Sequence, residues 1–256
     1  MRYNSYSMQR SWQRFVEAAA AADHAVQLYA DAEDLVEPVG GYLAAGFDRS
    51  EPAIVVATPH HRSLVAAHLA RCGWDGATLA DRRLVEFRDA EATLAALLVA
   101  GKPSAERFER CAGRQVRVFG EMVDLLCARG DRTAAAELED LWSRLAERRR
   151  FSLLCAYRVD LFDADTQLSL LPQICAAHTH VQPGGDVARL GRAVGAALQE
   201  ELGADAGLVY AQLPGPLAQS TLLPAAQRAL MWVSANMPAR AERILDAARA
   251  RYATAD

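Results

Sequence analysis

The chain has 256 residues, a formal charge of −4, 52% hydrophobic residues and 23% charged residues. That mixture fits one large α/β domain, or an ordinary domain with an appendage, and it excludes disorder as the main state. The acidic balance argues against non-specific nucleic-acid binding, no apolar stretch approaches the ~20 residues of a membrane span, and the first residues lack the apolar core of a signal peptide.

In chain order, an Ala-rich leader helix is expected over residues 10–22, followed by a strand at Ala25–Tyr29. A helix beginning at Asp31 or Asp34 places Leu35, Val39, Leu43 and Phe47 at near-helical spacing, although Pro38 and Gly40-Gly41 interrupt it. Ala53–Ala57 is a continuous apolar run with a β-branched centre, as in a strand buried on both faces. Thr58–Arg62 reads as a turn, and Ser63–Leu69 as a helix ending near Gly73. The unit recurs: strand Leu84–Phe87 before helix Ala90–Val99, then strand Val116–Phe119 before helix Met122–Cys127. An amphipathic helix spans Thr133–Arg148, with Leu138, Leu141, Trp142 and Leu145 on one face, and Phe151–Tyr157 is a buried strand. Such alternation implies right-handed crossovers and a parallel sheet covered by helices.

Gln182–Gly185 reads as a linker and Asp186 as the cap of a helix through Leu202. Beyond the Leu213–Pro216 break, helices are expected over Pro224–Ala235 and Ala239–Tyr252. The expected division is therefore a leader helix over 1–22, an α/β domain over 23–181 and a helical extension over 182–256. Five cysteines (Cys72, Cys111, Cys127, Cys155 and Cys175) form an odd set without C-x-x-C spacing. They read as reduced, mostly buried thiols in a cytoplasmic protein.

Ile54–Leu69 stands where a phosphate-binding loop would stand, between a buried strand and a helix. Thr58–Ser63 has neither the glycines nor the lysine that such a loop needs; the single Lys of the chain is Lys102, and the loop carries Arg62 instead. In an open parallel sheet, ligands bind outside the carboxyl ends of the strands. That rule collects His24, Tyr29, His60, His61, Arg62, Glu121, Tyr157, Arg158, His178 and His180 as candidate ligand contacts. His60, His61, His178 and His180 are weak candidates for metal ligands, because neither pair has the spacing of a known motif. No catalytic residue is assigned: the chain has no G-x-S-x-G elbow and no Cys beside a His. Arg148–Arg150 reads as a solvated helix end, favourable at the negative pole of the helix.

His24–Tyr29, Ile54–His60, Arg117–Leu126, Leu138–Trp142 and Phe151–Tyr157 also follow one another in a familiar order. The blocks Phe119-Gly120-Glu121-Met122 and Leu154-Cys155-Ala156-Tyr157 are the most specific of them. Together they resemble the MEDS domain, the sensory domain named for methanogens, methylotrophs and a dichloromethane-responsive regulator, over roughly His24 to His180. The resemblance implies a fold like RecA and the circadian-clock ATPases, with a degraded Walker motif. It also implies the sensing of small molecules and signalling to transcription or phosphorelay partners. The expectation is thus a non-catalytic sensor with a small-molecule ligand, a regulatory protein partner, no direct nucleic-acid or membrane contact, a possible homodimer and an unknown cofactor. A nucleotide-binding or slow ATP-hydrolysing enzyme is the first alternative. A protein-interaction scaffold of anti-sigma type is the second.

Overall fold

The computed structural model describes residues 2–99, 102–103, 115–148, 150–213 and 222–254. Cys111, Arg149 and the Pro214–Pro216 break lie outside the described residues. Among the described residues, no helix is long and apolar enough to cross a membrane. The chain divides into two compact units. One comprises Arg10–Arg158 with Ala177–Gln182; the other comprises Met1–Gln9, Val159–Ala176 and Pro183–Asp256.

The first unit is built on six parallel strands. In chain order it contains β1 (His24–Tyr29), α2 (Ala32–Asp48), β2 (Ala53–Ala57), α3 (Pro59–Arg71), α4 (Gly76–Asp81), β3 (Val85–Asp89) and α5 (Ala90–Leu97). Leu98–Val99 and Lys102–Pro103 then form a two-residue antiparallel pair, β4 and β5. The unit closes with β6 (Val116–Gly120), α6 (Met122–Ala128), α7 (Arg132–Arg148), β7 (Phe151–Arg158) and β8 (His180–Gln182). The sheet order is β3-β2-β6-β7-β1-β8, and every pairing in it is parallel. The expected α/β class, a parallel sheet covered by helices with further helices at the C-terminal end, is what the structure shows.

Strand residues alternate between two covered faces, so β1, β2, β6 and β7 are mostly apolar on both, with His24, Gln27, Arg117 and Ser152 as buried polar residues among them. Ala25, Val55, Phe119, Leu154 and Ala156 pack with Leu35, Val39 and Leu43 of α2 and Val65 and Leu69 of α3. Cys155 and Tyr157, one residue out of phase, meet Glu139 of α7 on the opposite face. Burying one such Leu or Val side chain contributes about 1.5–3 kcal/mol, so this two-sided covering dominates the unit's stability.

Three local expectations change. The leader helix α1 runs Arg2–Ala18 and stops before Ala22, which has a positive φ. Helix α2 continues through Pro38 and both glycines. A Cβ on Gly40 would lie 2.3 Å from His68 Cδ2, so glycine here lets α3 approach α2 closely. Thr58–Arg62 is no turn: Thr58 is the N-cap of α3 and Pro59 its first residue, where an N–H would have no partner within the helix in any case. Beneath α2, the fully buried Arg117 guanidinium donates to Glu51 at 2.8 Å and to the carbonyls of Val16 and Tyr42 at 2.6 Å each. A charge is tolerated there because its donors are matched by acceptors.

The second unit is helical: a π-helical turn at Thr166–Leu170, α8 (Leu171–Ala177), α9 (Val187–Leu202), α10 (Ala206–Gln212), α11 (Ala225–Asn236) and α12 (Pro238–Thr254). Asp186 caps α9 as its sequence suggests, accepting from the N–H groups of Ala188 and Arg189. Leu190, Val194 and Leu198 of α9 form its core with Leu230 and Val233 of α11 and Ile244 and Leu245 of α12. A buried amide pair, Gln227 Nε2 donating to Gln167 Oε1 at 2.8 Å, ties α11 to the π-helical turn.

Candidate functional site

The chain leaves β2 towards β3 and leaves β6 towards β7, in opposite directions across the sheet. The carboxyl ends of these adjacent strands therefore diverge, and such a point is where open α/β sheets bind ligands. Glu121 follows β6 at this point. One of its carboxylate oxygens accepts from the Thr58 N–H, and the other lies 2.5 Å from His61 Nδ1. The carboxylate is almost fully buried and the imidazole half-buried. The hydrogen bond to Glu121 raises the His61 pKa above its ordinary value, with burial working against it.

A second carboxylate lies beside the first. Asp124 Oδ2 accepts from Tyr29 Oη at 2.8 Å, and Oδ1 accepts from the Arg158 N–H at 2.8 Å. Burial raises its pKa, and the two hydrogen bonds only partly offset that. Burial, then Asp124, also pushes the Tyr29 phenol up, so it stays a neutral donor. The Tyr29 and His61 rings meet edge to face, with centroids 5.7 Å apart. Four polar side chains (Tyr29, His61, Glu121 and Asp124) are thus gathered at the ends of β1, β2 and β6, and Arg158 at the end of β7 joins them through its backbone N–H, its own Nε donating to the Ala30 carbonyl at 3.2 Å. The four side chains can supply a neutral hydroxyl, an imidazole and two carboxylates to a polar ligand. His60 and Arg62 stand beside them on the first turn of α3, His60 exposed and Arg62 partly so.

The other candidates separate from this edge. His24, Tyr157 and His178 meet on the α7 face of the sheet, around Glu139 and Cys155. His24 Nε2 lies 3.1 Å from Glu139 Oε2 and 3.3 Å from Cys155 Sγ, and Tyr157 Oη donates to Glu139 Oε1 at 2.6 Å. His178 Nε2 is 3.5 Å from the same Oε1. Burial alone would raise the Glu139 pKa, but the His178 and His24 imidazoles and the Tyr157 hydroxyl hold it down at about 2. Burial, then Glu139, pushes the Cys155 thiol up. His180 lies on β8, its ring 5.3 Å from that of Phe15, and burial lowers its pKa.

Glu139, Cys155 and Asp124 were not among the sequence candidates. Position 139 carried a signal nonetheless. It shares the buried stripe of α7 with Ala135, Leu138, Trp142 and Ala146, and a Glu on such a stripe needs a partner. Asp124 follows Glu121 at i+3, the spacing that puts both carboxylates on one side of a helix start.

A family model described as "MEDS: MEthanogen/methylotroph, DcmR Sensory domain" matches residues 23–178, more than half of the chain. No curated protein matches the chain.

Proposed function

The chain belongs to the MEDS family of sensory domains, and we propose that it binds a small molecule at the carboxyl edge of its sheet and signals occupancy to a protein partner. The observation that carries this reading is the Tyr29–His61–Glu121–Asp124–Arg158 group at the point where the β2 and β6 connections diverge. His60 and Arg62 contribute from the first turn of α3. The partner belongs to a transcription or phosphorelay system, and the setting is the cytoplasm. The sheet is read as RecA-like, with its phosphate loop degraded.

The electrostatics favour a ligand other than a nucleotide. Phosphates bind where helix N-termini offer free N–H groups. Here the Glu121 carboxylate occupies the Thr58 N–H, and the Thr58 hydroxyl accepts from the His61 N–H at 3.4 Å. Glu33 and Asp34 fill the first turn of α2, and Asp124 that of α6. A neutral or cationic molecule with hydrogen-bonding groups suits this edge better than a triphosphate.

A thermal-shift screen with small metabolites, halocarbons and Mg-ATP tests the proposal. The expected result is a rise in Tm with a non-nucleotide ligand and its loss in His61→Gln. Stabilisation by Mg-ATP that disappears in Arg62→Ala or Glu121→Gln would replace this reading with the nucleotide-binding one. A partner captured without any ligand effect would favour a scaffold.

A further inference from the structure

Four donor atoms from four separate segments converge on the α7 face of the sheet. They are His24 Nε2 at the start of β1, Glu139 of α7, Cys155 Sγ in β7 and a ring nitrogen of His178 just before β8, all within 4.8 Å of one another. The four residues are 3%, 5%, 1% and 5% exposed. We propose that they form a binding site for one divalent transition-metal ion, with zinc the best match.

The distances carry the first argument. Zinc bonds of about 2.0–2.1 Å to N or O and about 2.3 Å to S make a tetrahedron whose edges are about 3.3–3.7 Å. Around Glu139 Oε2 the edges found are 3.1 Å to His24 and 3.9 Å to Cys155, with 3.3 Å between His24 and Cys155, while His178 Nε2 lies 3.5 Å from the other carboxylate oxygen, Oε1. The His178–Glu139 separation exceeds a normal N–H···O hydrogen bond and the Cys155 thiol makes only a long hydrogen bond to Glu139, whereas the Tyr157–Glu139 bond beside them is 2.6 Å. Moreover, His24 Nε2 faces a sulfur and a carboxylate oxygen at once, and a single N–H cannot serve both well. A shared cation can.

The chemistry of the set carries the second. Two imidazoles, a thiolate and a carboxylate form a borderline-soft donor set of the kind zinc takes. Binding releases the Cys155 thiol proton to solvent, and the thiolate and carboxylate then balance the dication, leaving the buried site neutral. Outer groups that orient ligands are also present. Tyr157 Oη holds one Glu139 oxygen, and Ser143 Oγ lies 3.5 Å from His24 Nδ1, the nitrogen turned away from the cluster. With four protein donors the site is closed, which points to a structural ion that pins α7, β1, β7 and the lead into β8. The inference is independent of the strand-edge ligand reading, which uses none of these residues.

Because the donors are buried, the full chain is unfolded and refolded with Co2+ or Zn2+, freed of excess metal and analysed. The expected result is one metal equivalent per chain, tetrahedral d–d bands with Co2+ and a thiolate-to-cobalt charge-transfer band. Cys155→Ser should remove that band, and Tyr157→Phe should weaken binding about 10–100-fold. Cys72→Ser is the control, since Cys72 Sγ lies 3.6 Å from His68 Nε2 on the surface and should not matter. Should Cys155→Ser fail to fold, the wild-type spectrum and Tyr157→Phe decide alone. Absence of stoichiometric metal, absence of the thiolate band, or loss of binding in Cys72→Ser overturns the proposal.

Discussion

Two carboxylates of the sheet unit, each beside a tyrosine hydroxyl, have been driven in opposite directions. Asp124 at the strand edge accepts from Tyr29, and Glu139 on the α7 face accepts from Tyr157, at 2.8 and 2.6 Å. Glu139 is the more deeply buried, so desolvation alone would make it the harder to ionise. Yet it is held at about 2, while Asp124 is raised. The difference lies in the second neighbour. Glu139 faces two imidazoles, whereas Asp124 has Glu121 beside it as a like charge, which His61 does not outweigh. Burial sets the size of the stakes, and the partner sets the sign.

The largest expected effect tests that contrast directly. In metal-free buffer, Glu139→Ala removes the acceptor that two imidazoles and a phenol share, and should cost about 3–5 kcal/mol in chemical denaturation. Asp124→Asn gives up only a charge that burial and the neighbouring Glu121 already penalise. It can keep one of its two hydrogen bonds, so its cost should stay within about 1 kcal/mol. Equal costs would show that burial alone governs both sites.

Acid titration sharpens the same contrast through its sign. Glu139 has a folded pKa of about 2 against an ordinary 4.5, so its ionised form stabilises the native state above 4.5. That contribution is lost as the pH falls from about 4.5 to about 2. Asp124 is raised above its ordinary 3.8, so its contribution is full below 3.8 and is lost as the pH rises through its folded value. The Tm gap between wild type and Glu139→Gln should therefore close on acidification. Wild type should lose ground to Asp124→Asn as the pH rises. A smaller loss is expected for Tyr29→Phe, about 0.5–1.5 kcal/mol for one hydroxyl hydrogen bond, measured by the same denaturation.

What could be read before folding divides along similar lines. The strands Ala53–Ala57 and Phe151–Tyr157 and the helix over 133–148 follow from apolar runs and periodicity, signals carried within the element itself. Helix α2 was obscured because Gly40 answers to His68, on another helix and 28 positions away (68 − 40). The three residues of β8 gave no pattern, since they are a strand only by pairing with Ala25–Gln27. At the candidate site, the strand-end rule gathered Tyr29, His61, Glu121 and Arg158, because it depends on topology that the alternation of elements reveals. It could not separate them from His24, Tyr157 and His178. Which face a side chain takes, and how far along the strand it sits, is decided by register, and register is a property of pairs of strands.

The smallest effect bears on which side of the contrast Glu121 belongs to. It is as buried as Glu139, but it meets one half-buried imidazole in place of two buried ones. The His61 pKa is raised, so the pair's contribution is full below the ordinary 6.5 and is lost as the pH rises through the folded value. Replacing His61 by Gln should therefore cost at most about 1 kcal/mol below pH 6.5, since part of the pair faces water. The gap to wild type should narrow towards alkaline pH, while the His61 ring resonances, followed by NMR, titrate later than those of a free imidazole. A gap that widens with pH instead would mean that His61 is neutral beside Glu121. That carboxylate would then have to be grouped with Asp124, as a charge held by dipoles alone, and the strand edge would present a stronger negative field to its ligand.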